Sequence, residues 1–119
     1  MNLNYFTLSE FDSPDIPGSG EIMDETFLDM LDEARDIAGI PFKITSGVRS
    51  KAHNEKVGGV SNSSHLRGYA CDIACSSSSD KYTILNSLLE VGFNRIGIAK
   101  GFIHVDNDPN KSPFVIWTY

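Results

Sequence analysis

The chain has 119 residues, enough for one domain built on one core. A net charge of −6, with 40% hydrophobic and 22% charged residues, fits a globular protein and excludes one that grips nucleic acid or anionic lipid through a general basic face. No run is apolar for long enough to span a membrane, and the opening MNLNYFTLSEFDS lacks the basic and apolar regions of a signal peptide. The expectation is a monomer made in the cytoplasm, with no nucleic-acid partner and no membrane insertion, which something else must carry to any target outside.

Residues 1–20 read as an irregular arm punctuated by Pro14, Pro17, Gly18 and Gly20, with Tyr5, Phe6, Leu8 and Phe11 packed on the domain. Residues 24–38 read as a helix. Asp24 is its N-cap, Gly39 its stop, and Phe27, Leu28, Leu31, Ala34, Ile37 and Ala38 its apolar stripe. The acidic residues between them read as a solvated face. Residues 42–46 read as a strand, 51–56 as a short helix, 57–64 as a loop, and Tyr69 to Cys75 as a strand. A second long helix is expected over 79–91, with Ser79 as cap, Tyr82, Leu85, Leu88 and Leu89 buried, and Gly92 as stop. Three strands follow, Arg95 to Ala99, Phe102 to Asp106 and Val115 to Tyr119, joined at Gly101 and at the turn-forming cluster 107–110. Short reverse connections favour antiparallel pairing, so the fold class is α+β: a mostly antiparallel sheet against two main helices.

Two cysteines, Cys71 and Cys75, read as buried reduced thiols; their spacing matches no standard zinc knuckle. The chemistry lies elsewhere. The chain has only three histidines, and two fall in matched motifs, His65-Leu-Arg-Gly-Tyr-Ala-Cys-Asp72 and His104-Val-Asp106. Two imidazoles and a carboxylate with one position left open are a common way to hold catalytic zinc. Asp72 lies seven residues after His65, an odd spacing that would put them on opposite faces of one strand. His65 must therefore come from the loop before the strand that carries Asp72. Phe102, His104 and Asp106 share one face of their strand, with Ile103 and Val105 on the other. The plainer alternative makes His65 an exposed loop residue and His104 a hydrogen-bonded core histidine.

The segments FTLSEFDSPD, ITSGVRSKAHNEKVGG (44–59), SSHLRGYACDI (63–73) and RIGIAKGFIHVD (95–106), in this order, resemble the M15 family of zinc D,D-peptidases. The likeness is to the short branch found in bacteriophages and bacteria. It implies the fold shared with the Hedgehog signalling domain, one Zn2+ held by His65, Asp72 and His104, and peptidoglycan stem peptide as partner. It also implies that zinc polarises the scissile carbonyl and acidifies water while a carboxylate moves the proton to the leaving amine. Arg49 falls on the arginine that family members use near the substrate, and its planar fork suits a carboxylate; pairing with an acid such as Glu55 is its structural alternative. Ser64 either orients the ligand loop or touches substrate. Several relatives carry an acid three residues before the last histidine ligand, where this chain has Gly101. Asp106 is then the candidate base, with support of a ligand as its alternative role. His53, in Ser-Lys-Ala-His-Asn, is a weaker candidate, with capping or packing near Arg49 as its plainer role. The functional expectation is a peptidoglycan D,D-carboxypeptidase or endopeptidase of the phage lytic type; a non-catalytic binding module, or a structural phage component, is the alternative.

Overall fold

Asp24 opens the first helix with its carboxylate, which accepts the Phe27 amide at 2.9 Å. Gly39, left-handed at φ 69°, closes it by donating its N–H to the Arg35 carbonyl. In the computed structural model, which describes residues 2–119, this helix is α1, Glu25–Ala38. Phe27, Leu28, Leu31 and Ala34 are buried as the spacing requires, but Ile37 is exposed. The acidic face is not wholly solvated either. Asp32 is buried and accepts the Asn4 and Tyr5 amides at 3.0 and 2.9 Å, so a carboxylate clasps the N-terminal arm to α1. The arm itself holds two 3-10 turns, Leu8–Phe11 and Ser19–Ile22. It buries Phe6 and Phe11 edge to face at 5.5 Å and leaves Tyr5 exposed.

The remaining elements are β1 (Lys43–Ser46), α2 (Lys51–Lys56), β2 (Ala70–Ala74), α3 (Ser78–Glu90), β3 (Arg95–Ile98), β4 (Phe102–Asp106) and β5 (Val115–Thr118). A 3-10 turn, Ser64–Arg67, stands where the sequence suggests loop into strand. It ends at Gly68, whose φ of 77° and position 2.5 Å (as an ideal Cβ) from the Ile22 carbonyl admit no side chain.

α3 starts one residue earlier than expected. Its cap is Ser77, whose hydroxyl accepts the Asp80 amide at 3.1 Å, rather than Ser79. Its buried face is Ile84, Ser87 and Leu88, whereas Tyr82 and Leu89 face solvent. Ser87 can sit in the core because its hydroxyl donates to the Ile84 carbonyl at 2.8 Å. Leu85 and Leu88 of the expected stripe do pack on the core, but with Ser87 inside it the buried face is rotated toward Ile84 and away from Tyr82 and Leu89.

The sheet order is β1-β2-β4-β3-β5. Pairing is antiparallel except between β3 and β5, which run parallel. β4 already has β2 and β3 on its two edges, so the next strand has to join at an outer edge of the sheet, and it joins at β3. Reversing direction after β4 then makes β5 parallel to β3. Cys71, Ile73, Ile96, Ile103 and Val105 point to one face and join Phe27, Leu28, Leu31, Ile84 and Leu88 of α1 and α3 in the core. Both cysteines are buried free thiols, and burial pushes the Cys71 thiol's pKa up, which removes it as a thiolate donor. No helix among the described residues is long and apolar enough to cross a membrane.

Candidate metal centre

The register of the sheet assembles the site. Asp72 on β2 pairs with His104 on β4, which pairs with Gly97 on β3, which pairs with Trp117 on β5. On the other side Asp72 pairs with Ser46, across a bulge in β1 between Ile44 and Ser46. A bulge adds local twist and re-aims side chains, and here it lies opposite a carboxylate of the site. One row across the open face thus reads Ser46, Asp72, His104, Gly97, Trp117. Gly97 is required in it, since a Cβ there would lie 2.6 Å from Trp117 Nε1. Its absence lets the indole lie beside the His104 ring, at 5.5 Å between centroids.

His65 reaches this row from the 3-10 turn Ser64–Arg67, whose cap Ser63 accepts the His65 amide through its hydroxyl at 3.2 Å. The Gly47 carbonyl lies 2.8 Å from His65 Nδ1 and accepts a hydrogen bond from its N–H, which leaves the Nε2 lone pair free. That Nε2 stands 3.4 Å from Asp72 Oδ1, and His104 Nδ1 stands 3.0 Å from the same oxygen. The donor atoms of His65, Asp72 and His104 lie within 4.8 Å of one another, and all three residues are buried. Two imidazole nitrogens and one carboxylate oxygen at this spacing suit a divalent ion such as zinc with an open position.

The surroundings fix each donor. His104 Nε2 donates to Asp106 Oδ2 at 2.7 Å, so Nδ1 is the nitrogen turned to the site. Asp106 is nearly inaccessible, and its Oδ1 accepts Arg95 Nε at 2.6 Å and the Asp108 amide at 3.2 Å. Of the two roles open to Asp106 from sequence, support of a ligand is the one these contacts serve; both its oxygens are occupied. Burial alone would push His104 down, but its bonds to Asp106 and Asp72 win and hold its pKa above that of a free imidazole. Burial would likewise raise Asp72 and Asp106, yet the imidazoles that face them pull both below the usual carboxylate range. An ion taking Nδ1 therefore competes with a proton for that nitrogen.

Arg49 lies beside the triad. Its Nη2 is 3.6 Å from Asp72 Oδ2, Nε donates to Ser46 Oγ at 3.2 Å, and Nη1 donates to Asn54 Oδ1 at 3.3 Å. Its ionic partner is Asp72, not Glu55. Ser64 is buried and donates to Asp108 Oδ2 at 2.7 Å, which makes it part of the ligand loop's mooring. His53 lies apart, with Pro14, Asp15, Ala52 and Lys56 around another hollow.

Asp108 is the residue that sequence reading passed over. It is buried, accepts Ser64 and Arg67 on Oδ2 and the Asn110 amide on Oδ1 at 3.0 Å, and its own amide reaches Asp106. One side chain so ties the turn bearing His65 to the strand end bearing His104. Its place in Asn107-Asp108-Pro109-Asn110 signals a turn, which it also makes; the recurrence of aspartate two residues after Asp106 was the available clue. Trp117 was missed for a different reason, because its role depends on a glycine two strands' length away in sequence.

The row and the turn open into a cavity of about 400 Å³ lined among others by Arg49, Ser64, Trp117 and Tyr119. A comparison with curated proteins finds no match. A family profile described as Peptidase M15 matches residues 4–106, which takes in Arg49, Ser64, the three donors and Asp106. Because that match spans most of the 119 residues, the chain belongs to the peptidase M15 family.

Proposed function

We propose that the chain is a zinc-dependent peptidase of peptidoglycan stem peptides, a D-alanyl-D-alanine carboxypeptidase or an endopeptidase. The observation that carries this reading is the convergence of the His65, Asp72 and His104 donors at the floor of a peptide-sized cavity, with Arg49 at their side. His65 Nε2, Asp72 Oδ1 and His104 Nδ1 would hold the ion. Bound there, zinc would supply a Lewis acid that polarises a carbonyl and makes water a nucleophile near neutral pH.

The chain's own groups do the rest. Gly47 and Asp106 fix the imidazole tautomers so that one lone pair of each ring faces the cavity. Arg49 offers guanidinium N–H groups to a substrate carboxylate, which orients the peptide. Trp117 and Tyr119 wall the cleft with apolar surface and limit water around the scissile bond. The same chemistry suits an enzyme delivered to a cell wall or released onto it, as in phage lysis.

A second reading, a zinc-containing binding module, is favoured by one observation. The carboxylates lining the cavity are Asp72 and Asp106, both already engaged, and Gly101 supplies none. Peptide release from purified peptidoglycan, and from a stem pentapeptide ending in D-Ala-D-Ala, decides between them. The chain is stripped with chelator and assayed with and without added zinc. Zinc-dependent release with a product mass that names the bond supports the peptidase; a folded, zinc-loaded chain that binds but releases nothing supports the module.

A further inference from the structure

In a chain of net charge −6, the metal cavity is lined by three cations, Arg49, Arg95 and Lys111. Two are committed. Arg95 is held by Asp106 and the Ser112 carbonyl, and lies over the Trp117 ring at 5.3 Å. Arg49 is spread over Ser46, Asn54 and Asp72. Lys111 is not: among the described residues no carboxylate lies within 4.0 Å of its ammonium. Its backbone is fixed, however. The Lys111 amide donates to the Asp108 carbonyl at 3.3 Å, and Asp108 is the buried clamp between the two ligand-bearing segments. Its side chain is half-buried against the cavity, and neither cavity carboxylate, Asp72 or Asp106, forms an ion pair with it.

A cation held at a partly desolvated rim, without a partner, attracts an anion more strongly than one in open solvent. The ammonium is a compact point charge with three donors on a flexible stem, suited to a single carboxylate that approaches from variable directions. We propose that Lys111 is a specificity residue that binds an internal or side-chain carboxylate of the peptide substrate, distinct from the one Arg49 takes. The proposal rests on reading the cleft as a stem-peptide site. It makes the preferred substrate a peptide with at least two acidic groups, one on each cation, with the scissile bond between them over the metal donors.

The test is calorimetric binding to the zinc-loaded full chain of two stem peptides that differ only in one internal carboxylate, free in one and a carboxamide in the other. Wild-type protein should prefer the acidic peptide about tenfold, a typical value for one charge-assisted contact. Added salt should shrink that preference. In Lys111→Met the ratio should fall to about one, and Lys111→Arg should restore most of it. Equal affinity of wild type for both peptides, or a tenfold ratio surviving in Lys111→Met, overturns the role of Lys111 and leaves the peptidase reading standing. A wild-type chain that binds neither peptide overturns the stem-peptide reading and this proposal with it.

Discussion

Replacing Asp106 by asparagine should weaken zinc binding without unfolding the protein. Asp106 is surrounded by donors alone: His104 Nε2 at 2.7 Å, Arg95 Nε at 2.6 Å and the Asp108 amide at 3.2 Å. Asparagine has the same shape but only one acceptor oxygen. If that oxygen stays on His104, the new amide group faces Arg95 and Asp108, and a buried donor loses its partner at a cost of about 1–3 kcal/mol. If the amide turns the other way, it donates to His104 Nε2 and forces the ring proton onto Nδ1, the nitrogen meant for the metal. Loss of such outer support lowers metal affinity by about 10–100-fold, or about 1.4–2.7 kcal/mol. Competition against a chromophoric chelator measures the affinity, and urea unfolding of the metal-free protein measures the structural cost. Asp106→Ala is less informative, because it strands the buried Arg95 cation as well. A folded Asp106→Asn protein that binds zinc as tightly as wild type would refute the assignment of Asp106 as the group that orients His104.

Arg49→Lys should raise KM for stem peptides about tenfold with a smaller change in kcat, because a lysine cannot span Ser46, Asn54 and Asp72 and still present a fork to a carboxylate. Gly97→Ala should displace the chain's one tryptophan, at about 1–3 kcal/mol of overpacking, with a shift in its fluorescence emission. Asp108 titrates below the usual range: burial raises it, but Ser64, the Asn110 amide and Arg67 outweigh that. A depressed carboxylate contributes stability above its unfolded pKa of about 4 and loses it as pH falls through the lower folded value. Urea unfolding of metal-free wild type and Asp108→Asn should therefore differ at neutral pH and converge in acid.

The sequence makes α1 readable because both ends carry their caps and the stripe between them is unbroken. The metal donors were readable because scarce residue types fell at spacings that only a turn followed by a strand can reconcile, and the sheet register puts Asp72 and His104 opposite each other. What stayed hidden depends on distant neighbours. Asp32 looks like any acid on a helix face until the Asn4 and Tyr5 amides arrive from the arm. Ser87 looks solvent-facing until its hydroxyl is seen bonded to Ile84. The parallel pairing of β5 follows from which strand edges remain free, a property of the assembled sheet. Asp108 reads as a turn former, and its second role as a clamp needs Ser64 and Arg67 from another segment.

The central claim is that His65, Asp72 and His104 form one metal site. Zinc content per chain after loading and exhaustive dialysis tests it most directly, in wild type, His65→Ala and Asp72→Ala, with circular dichroism to show that each is folded. The account predicts one zinc per wild-type chain and loss of most of it in either variant. Full zinc retention in a folded Asp72→Ala chain, or none in wild type, would contradict it.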